Sequence, residues 1–220
     1  RKLYIYSDGA ITDITPIRET AALTNPFTTN GTTTVTVTDA AHGAHIGDFV
    51  TFDSFSAIDG LDMNNEFEVT TRVDANTYTV THTSTASGST SGGGGSGNAN
   101  YQINIGETAS TYGYGWGTDT WSAGAWNEPS TSSDVTVAAR SWSLDNFGED
   151  LIATVLNSST YIKDLSGAID ARATALSNAP TASRFSLVST DTRHLMIFGT
   201  ETTIGTPASQ DDLLFRFSDR

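Results

Sequence analysis

Arg140–Val155 reads RSWSLDNFGEDLIATV, and the fold turns on how this stretch is read. Ser141, Ser143 and Asp145 alternate with Trp142, Leu144 and Asn146, the period of a strand with two unlike faces. Phe147-Gly148 supplies a corner, and Leu151, Ile152 and Val155 run out as a second, more apolar strand. The design returns 44 positions later in Arg184–Phe198, RFSLVSTDTRHLMIF, where Arg184, Val188, Leu195 and Met196 stand for Arg140, Leu144, Leu151 and Ile152. Short strands repeating at roughly 40–45 residues have the spacing of β-propeller blades. On this reading Trp142, Leu144, Leu151 and Ile152 are expected to be blade core, and Phe147-Gly148 the blade corner.

Outward from this stretch, the composition narrows the possibilities. The 220 residues carry 11 basic and 25 acidic side chains, a net charge of −14. Such a surface lacks the Lys and Arg that neutralise phosphates, which argues against general nucleic-acid binding. No apolar run reaches the roughly 18 residues of a membrane-spanning helix, and no cationic start precedes an apolar stretch as in a signal peptide. Cysteine is absent, so disulfides and thiolate zinc sites are excluded. Abundant Thr, Ser and Gly with scarce Lys and Glu suit an extracellular or virion β protein. The start at Arg1 in strand-like KLYIY, and the open apolar alternation of DDLLFRFSDR, lead us to expect a segment of a longer protein.

Lys2–Ile14 is a predicted hairpin turning at Ser7-Asp8-Gly9 and ended by Pro16, which cannot donate to a ladder. Residues 1–22 are expected to be first blade strands, echoed by the Tyr-Ile and Gly-Ala pairs of Thr160–Ala168. Residues 23–105 change character. Alternating TTTVTVT, then IGDFVTF and NEFEVTTRVDANTYTVT, describe several short strands and a small β-barrel or sandwich. Its last connection holds STSGGGGSG, read as flexible or solvent-facing. The module is expected to be inserted in a blade loop, where long insertions cost little entropy. Residues 106–220 are read as further blades, with Ala168–Ala179 either a short helix or a loop.

Few residue patterns carry chemistry. Asp39, His42, His45 and Asp48 have metal-ligating types, but their glycine-rich turns give no common aim, so no metal site is expected. Adjacent carboxylates such as Glu149-Asp150 and Asp211-Asp212 point to opposite faces of a strand and cannot share a substrate atom. No nucleophile elbow or phosphate loop is present, so catalytic residues and cofactors are not expected. The aromatic stretch 111–126, TYGYGWGTDTWSAGAW, brings together Tyr112, Tyr114, Trp116, Trp121 and Trp126. Packing or a subunit contact is the favoured reading. A flat sugar-binding platform is the alternative, which would make the chain a carbohydrate-binding or adhesin module.

Taken together, LYIYSDGAITDITPIRET, RSWSLDNFGEDLIATV, the YIKDL strand, STDTRHLMIFG and DDLLFRFSD resemble tail structural proteins of phages and prophages. TTTVTVTDAAHGAHIGDFVTF and NNEFEVTTRVDANTYTV resemble a small β module inserted repeatedly in phage tail proteins. The resemblance implies a β-propeller protein of the nozzle or tail-tube ring below portal and adaptor. It implies no catalysis, no cofactor, a symmetric and hexameric self-assembly, neighbours among adaptor, portal and fibres, and a virion location. An acidic lumen would let double-stranded DNA pass without specific binding, since like charges remove the counterion-release gain. Without the roughly 80 inserted residues the chain holds about three blades, whereas closed propellers use four to eight, so the missing blades are expected first from the rest of a longer chain and only second from neighbouring subunits.

Overall fold

The structure, a computed structural model, describes residues 2–104 and 141–219. It is all-β, as expected, with one short 3-10 turn and no α-helix among the described residues. Strands β1 (Tyr4–Ser7) and β2 (Ala10–Asp13) form the N-terminal hairpin. Its central residues Asp8 and Gly9 both have positive φ, the type I′ pattern whose twist matches paired strands.

Strands β3 (Ile17–Thr24), β4 (Phe27–Thr28), β5 (Thr34–Thr38), β6 (Phe49–Asp53), β7 (Glu66–Arg72), β8 (Thr77–Thr81) and β9 (Ser96–Gln102) share one antiparallel sheet, ordered β3-β9-β6-β7-β8-β5-β4. The sheet curls until Phe27 of β4 bridges Gly93, just ahead of β9. The Phe27 amide donates to the Gly93 carbonyl at 3.2 Å, and the Gly93 amide donates back at 2.8 Å. Inside the curl, alternate residues of every strand converge, among them Val35, Val37, Val50, Phe52, Val69 and Val80. Phe27 meets Phe52 and Phe55 edge-on at 5.1 and 4.8 Å, the arrangement the ring quadrupoles favour.

Two expectations change here. The glycine tract is solvent-facing only in part: Ser89, Ser91, Gly92 and Ser96 are exposed, but Gly94 is buried. Gly93–Gly95 supply the backbone that closes the curl, accepting from Phe27, Ser56 and Asn25. A Cβ on Gly94 would stand 2.5 Å from the Phe27 ring, so only glycine lets the chain lie against it. The sheet also takes in Ile17–Thr24, most of which precedes the boundary expected at residue 23.

The remaining strands form two further sheets. β10 (Trp142–Phe147), β11 (Asp150–Val155), β12 (Thr160–Lys163) and β13 (Thr174–Ala175) lie side by side in chain order. The span 168–179 therefore contributes a loop and two strand residues, not a helix. β14 (Phe185–Val188), β15 (Leu195–Phe198) and β16 (Phe215–Phe217) follow as a three-stranded sheet. Hairpin, four-stranded sheet and three-stranded sheet stack face on face. Leu3, Ile5 and Ile14 of the hairpin segment pack on Ala153, Leu151 and Trp142. From the opposite face of the four-stranded sheet, Ile152, Ile162 and Phe147 pack on Val188, Leu195 and Ile197.

Polar side chains fix the second junction. Ser143 Oγ donates to the Ser186 carbonyl at 2.9 Å, and the Val188 amide donates to Asp145 Oδ2 at 2.7 Å. The buried hydroxyls of Thr154, Thr160 and Ser186 satisfy one another at 2.9 and 2.7 Å. Thus Ser143 and Asp145 of β10 read the backbone of β14, while Phe147, Ile152 and Ile162 supply the apolar contact.

The barrel is tied to this stack through charge. Lys2 and Arg172 each reach Asp13 at 3.1 Å, and both also reach Glu66 on β7. Gln102 of β9 donates to the same Glu66 carboxylate, and Arg172 donates to the Thr15 carbonyl at 3.1 Å. Two cations facing two carboxylates leave the cluster neutral, which is what allows it to be partly buried.

Candidate assembly faces

Three of the singled-out residues lie in the stack. Trp142 is half-buried between hairpin and four-stranded sheet, its ring 6.4 Å from that of Tyr161. Phe147 points to the other face and packs into the core shared with β14 and β15. Gly148 sits at φ +72° as the first central residue of a two-residue turn whose second, Glu149, has no positive φ. That is the type II′ pattern, which wants glycine first. The three residues serve packing and turning, and the structure does not bring them together. Tyr112, Tyr114, Trp116, Trp121 and Trp126 lie outside the described residues.

Of the expected blade-core residues, Ile152 is buried and Leu151 half-buried, but Leu144 is 53% exposed. Leu144 shares a face with Ala153, its partner across the ladder. β10 is the outer strand of its sheet, and the hairpin covers Ala153 while leaving the middle of β10 open.

Asp39 and His42 are engaged separately, and His45 and Asp48 with one another. Asp39 accepts from the Tyr101 hydroxyl at 2.6 Å. His42 Nδ1 accepts from the Ala44 amide at 3.0 Å, and burial lowers its pKa. Asp48 accepts from the His45 amide at 2.8 Å. No group of three such side chains is placed to hold a metal ion among the described residues. The acidic pairs are also occupied: Asp212 takes Arg184 in a two-point pair at 2.7 and 3.0 Å, and Asp211 accepts from the Leu213 amide.

What the fold does assemble, among the described residues, is an apolar face at one end of the stack. On the far side of β14–β16, the ladder pairs Phe185 with Phe198, Leu187 with Met196, Phe198 with Phe215 and Met196 with Phe217. All six side chains of that face are large and apolar. Phe185 stacks on Phe198 with ring centres 4.6 Å apart and planes 7° from parallel, and Phe198 stacks on Phe215 at 5.9 Å. Phe217 is nonetheless 69% exposed, and Phe185, Leu187 and Phe215 are each about half exposed. A solvated face of an antiparallel sheet ordinarily alternates to polar residues. At the other end of the stack, the outer face of the hairpin mixes Tyr4, Tyr6 and Ile11, of which Tyr6 and Ile11 are both 72% exposed, with Asp13 of the charge cluster that meets the barrel.

The sequence carried a signal for the first face. LMIF is apolar at every position, as in a strand covered on both sides, and FRF alternates around one cation.

Glu201 braces this end of the molecule. Burial alone would raise its pKa, but amides of Thr181 and Gly205 and the Thr181 hydroxyl hold the carboxylate below its ordinary range. Arg216, on the inner face of β16, donates to the Glu201 and Thr202 carbonyls. It also lines a cavity of about 360 Å³ with Leu176, Ala179, Ile197 and Ile204.

No protein-family model matches the chain, and no curated protein matches it. Among solved structures it is similar to Phage phi92 endosialidase, at 17% identity and a TM-score of 0.33. The similarity covers 90% of this chain but only 37% of that one. The sequence reading had expected a protein without catalysis. That expectation is withdrawn, because the structure found is named for an enzyme. A likeness this distant gives the present chain neither that activity nor its substrate.

Proposed function

We propose that this chain is a structural component of a bacteriophage tail, a nozzle or tail-tube element that assembles with itself in a symmetric ring around the DNA conduit. The observation that carries the reading is the all-apolar outer face of β14–β16, a surface whose composition belongs inside a protein assembly. The stack of meandering sheets supports it, since sheets packed face on face in chain order are how propeller blades succeed one another. The resemblance of the LYIYSDGAITDITPIRET, RSWSLDNFGEDLIATV and DDLLFRFSD stretches to tail proteins supports it from sequence.

In this role the chain meets adaptor or portal on one side and fibres on the other. It resides in the virion and lets double-stranded DNA slide past an acidic wall. The net charge of −14 suits that passage, because a surface poor in cations releases no counterions from DNA.

Electron microscopy of the purified chain tests the reading. Class averages are expected to show closed rings with a central channel and six-fold symmetry. Uniform monomers, or closed particles without a channel, overturn it.

A further inference from the structure

The link between β5 and β6, residues 39–48, is a strap fastened to its neighbours by hydrogen bonds. At the turn between β7 and β8, the Asp39 amide donates to the Asn76 carbonyl at 2.8 Å and the Ala41 amide to Asn76 Oδ1 at 2.9 Å. From β3, Arg18 Nη2 donates to the His42 carbonyl at 2.9 Å. On β7, the Val69 carbonyl accepts from the Gly47 amide at 2.9 Å. In the middle of the strap His42 and Ala44 turn inward and are 2% and 0% exposed. The His42 ring lies 4.8 Å from that of Tyr78.

The two nitrogens of this ring have fixed and opposite roles. Nδ1 receives the Ala44 amide at 3.0 Å, so it carries no proton. Nε2 lies 3.2 Å from the Asp74 carbonyl, which can only accept, so the proton sits there. The neutral ring therefore suits both partners. Imidazolium suits only one, because a proton on Nδ1 would point at the Ala44 N–H, two donors facing each other in a site closed to water.

The surroundings do not compensate such a charge. Burial, above all, holds the His42 pKa below its ordinary 6.5, and Arg72 at the end of β7 and Arg18 of β3 act in the same direction. Arg18 is itself paired with Glu19 at 3.3 Å. Asp39 favours the charge, but its carboxylate already accepts from the Tyr101 hydroxyl of β9 at 2.6 Å. Asp74 meets the ring through its backbone carbonyl, and β8 presents Tyr78. On the strap itself the Asp48 carboxylate is turned to the His45 amide, and the His45 ring beside it is 53% exposed, so a charge there stays in water.

We infer that His42 is an acid-sensitive pin, and that uptake of one proton expels its ring and frees residues 39–48 from the barrel while the sheet stays formed. The sheet persists because the ladders of β5 with β8 and of β6 with β9 do not run through the strap. Above pH 6.5 the ring is neutral in the fastened and the freed strap alike, and its hold is fully present. Below that value the freed ring binds a proton that the fastened one refuses, so the hold is lost as pH falls. One proton changes the ratio of fastened to freed by at most about tenfold per pH unit. The device belongs to the barrel alone and stands whether or not the chain serves in a tail.

Hydrogen exchange of the whole chain between pH 8 and 5, corrected for the intrinsic pH dependence of amide exchange, tests the pin. The amides of Ala41 and Ala44 are expected to open more readily below pH 6.5, by up to about tenfold per unit. At every pH they are expected to open well ahead of Val80 inside the barrel. In His42→Asn, whose side-chain oxygen can still accept from the Ala44 amide but takes up no proton, the pH dependence is expected to vanish. In His45→Asn it is expected to persist. Nitrogen NMR of the wild-type imidazoles gives a readout that needs no variant: His42 is expected to be neutral with its proton on Nε2 at pH 7, and to titrate only together with the opening at Ala44.

The pin is ruled out if the opening of Ala41 and Ala44 does not depend on pH, or if His42→Asn folds and keeps the dependence. It is also ruled out if Val80 opens as readily as Ala44, which would mean that the whole barrel unfolds, or if the His42 ring titrates while Ala44 stays protected.

Discussion

Gly148 and Gly97 place different demands on the chain. At Gly148 the backbone has φ +72°, and an added Cβ would meet nothing nearer than the Arg193 guanidinium at 3.5 Å. Its requirement is conformational, so Gly148→Ala is expected to cost about 1 kcal/mol. At Gly97 an added Cβ would stand 2.4 Å from the Asp53 carbonyl and 2.8 Å from the Phe55 ring. There β9 must separate from β6, and Gly97→Ala is expected to cost about 3 kcal/mol or more. Urea midpoints of the two variants should fall in that order. Equal losses would contradict the assignment. A second residue-scale device lies in the barrel, where the Tyr78 hydroxyl bonds to that of Tyr101 at 2.9 Å and Tyr101 donates to Asp39. Burial, above all, pushes both phenols well above their ordinary value of 10.0. Below pH 10 the tyrosines are protonated in folded and unfolded chains alike, and their contribution is fully present. Above it the unfolded chain sheds phenol protons that the folded one keeps, so stability is lost as pH rises. Chemical denaturation from pH 9 to 11 should show this decline, and Tyr101→Phe should lessen it while costing about 1–3 kcal/mol at neutral pH by leaving Asp39 without its donor.

At the scale of elements, the joint between barrel and stack depends on a few charges. Removing Arg172 leaves Asp13 and Glu66 facing Lys2 alone and frees the Thr15 carbonyl. The cluster is partly exposed, so Arg172→Ala is expected to cost about 1–2 kcal/mol, less than a fully buried pair would. Hydrogen exchange should quicken first at Ala173, whose amide donates to the Ile14 carbonyl, and should stay unchanged at Val80 inside the barrel. Uniform quickening would count against a local joint. Burial works to raise the Asp13 pKa, but Thr15, Lys2 and Arg172 together lower it. Its contribution is therefore present above its ordinary 3.8 and lost only as pH falls through the lowered value. Some elements were legible in the residues alone. Ser7-Asp8-Gly9 and Phe147-Gly148 announce turns because the φ they need depends on the turn itself. The offset of 44 residues holds for β10 and β14, but Ala153 and Leu195, the equivalent return positions, stand 42 apart. Loop length shifts that second offset, and no periodicity records it. The glycine tract misled for a related reason: without side chains it carries no pattern, and its use against the rings of Phe27 and Phe55 is visible only once strands from distant parts of the chain converge.

For the molecule as a whole, the consequence of the stack is that, among the described residues, the far face of β14–β16 remains apolar and partly exposed, and assembly in solution is the property most directly exposed to test. The sequence by itself determined the all-β class, the strand periods of the barrel and the local turns, because alternation and turn geometry are short-range properties of neighbouring residues. Only the tertiary structure decided which faces those strands cover. Whether a residue such as Leu144 is buried depends on which strand is outermost and how far a hairpin about 140 residues earlier reaches across the sheet. Barrel closure at Gly93 and the cluster around Glu66 are likewise long-range matters, because they arise from which surfaces meet in space.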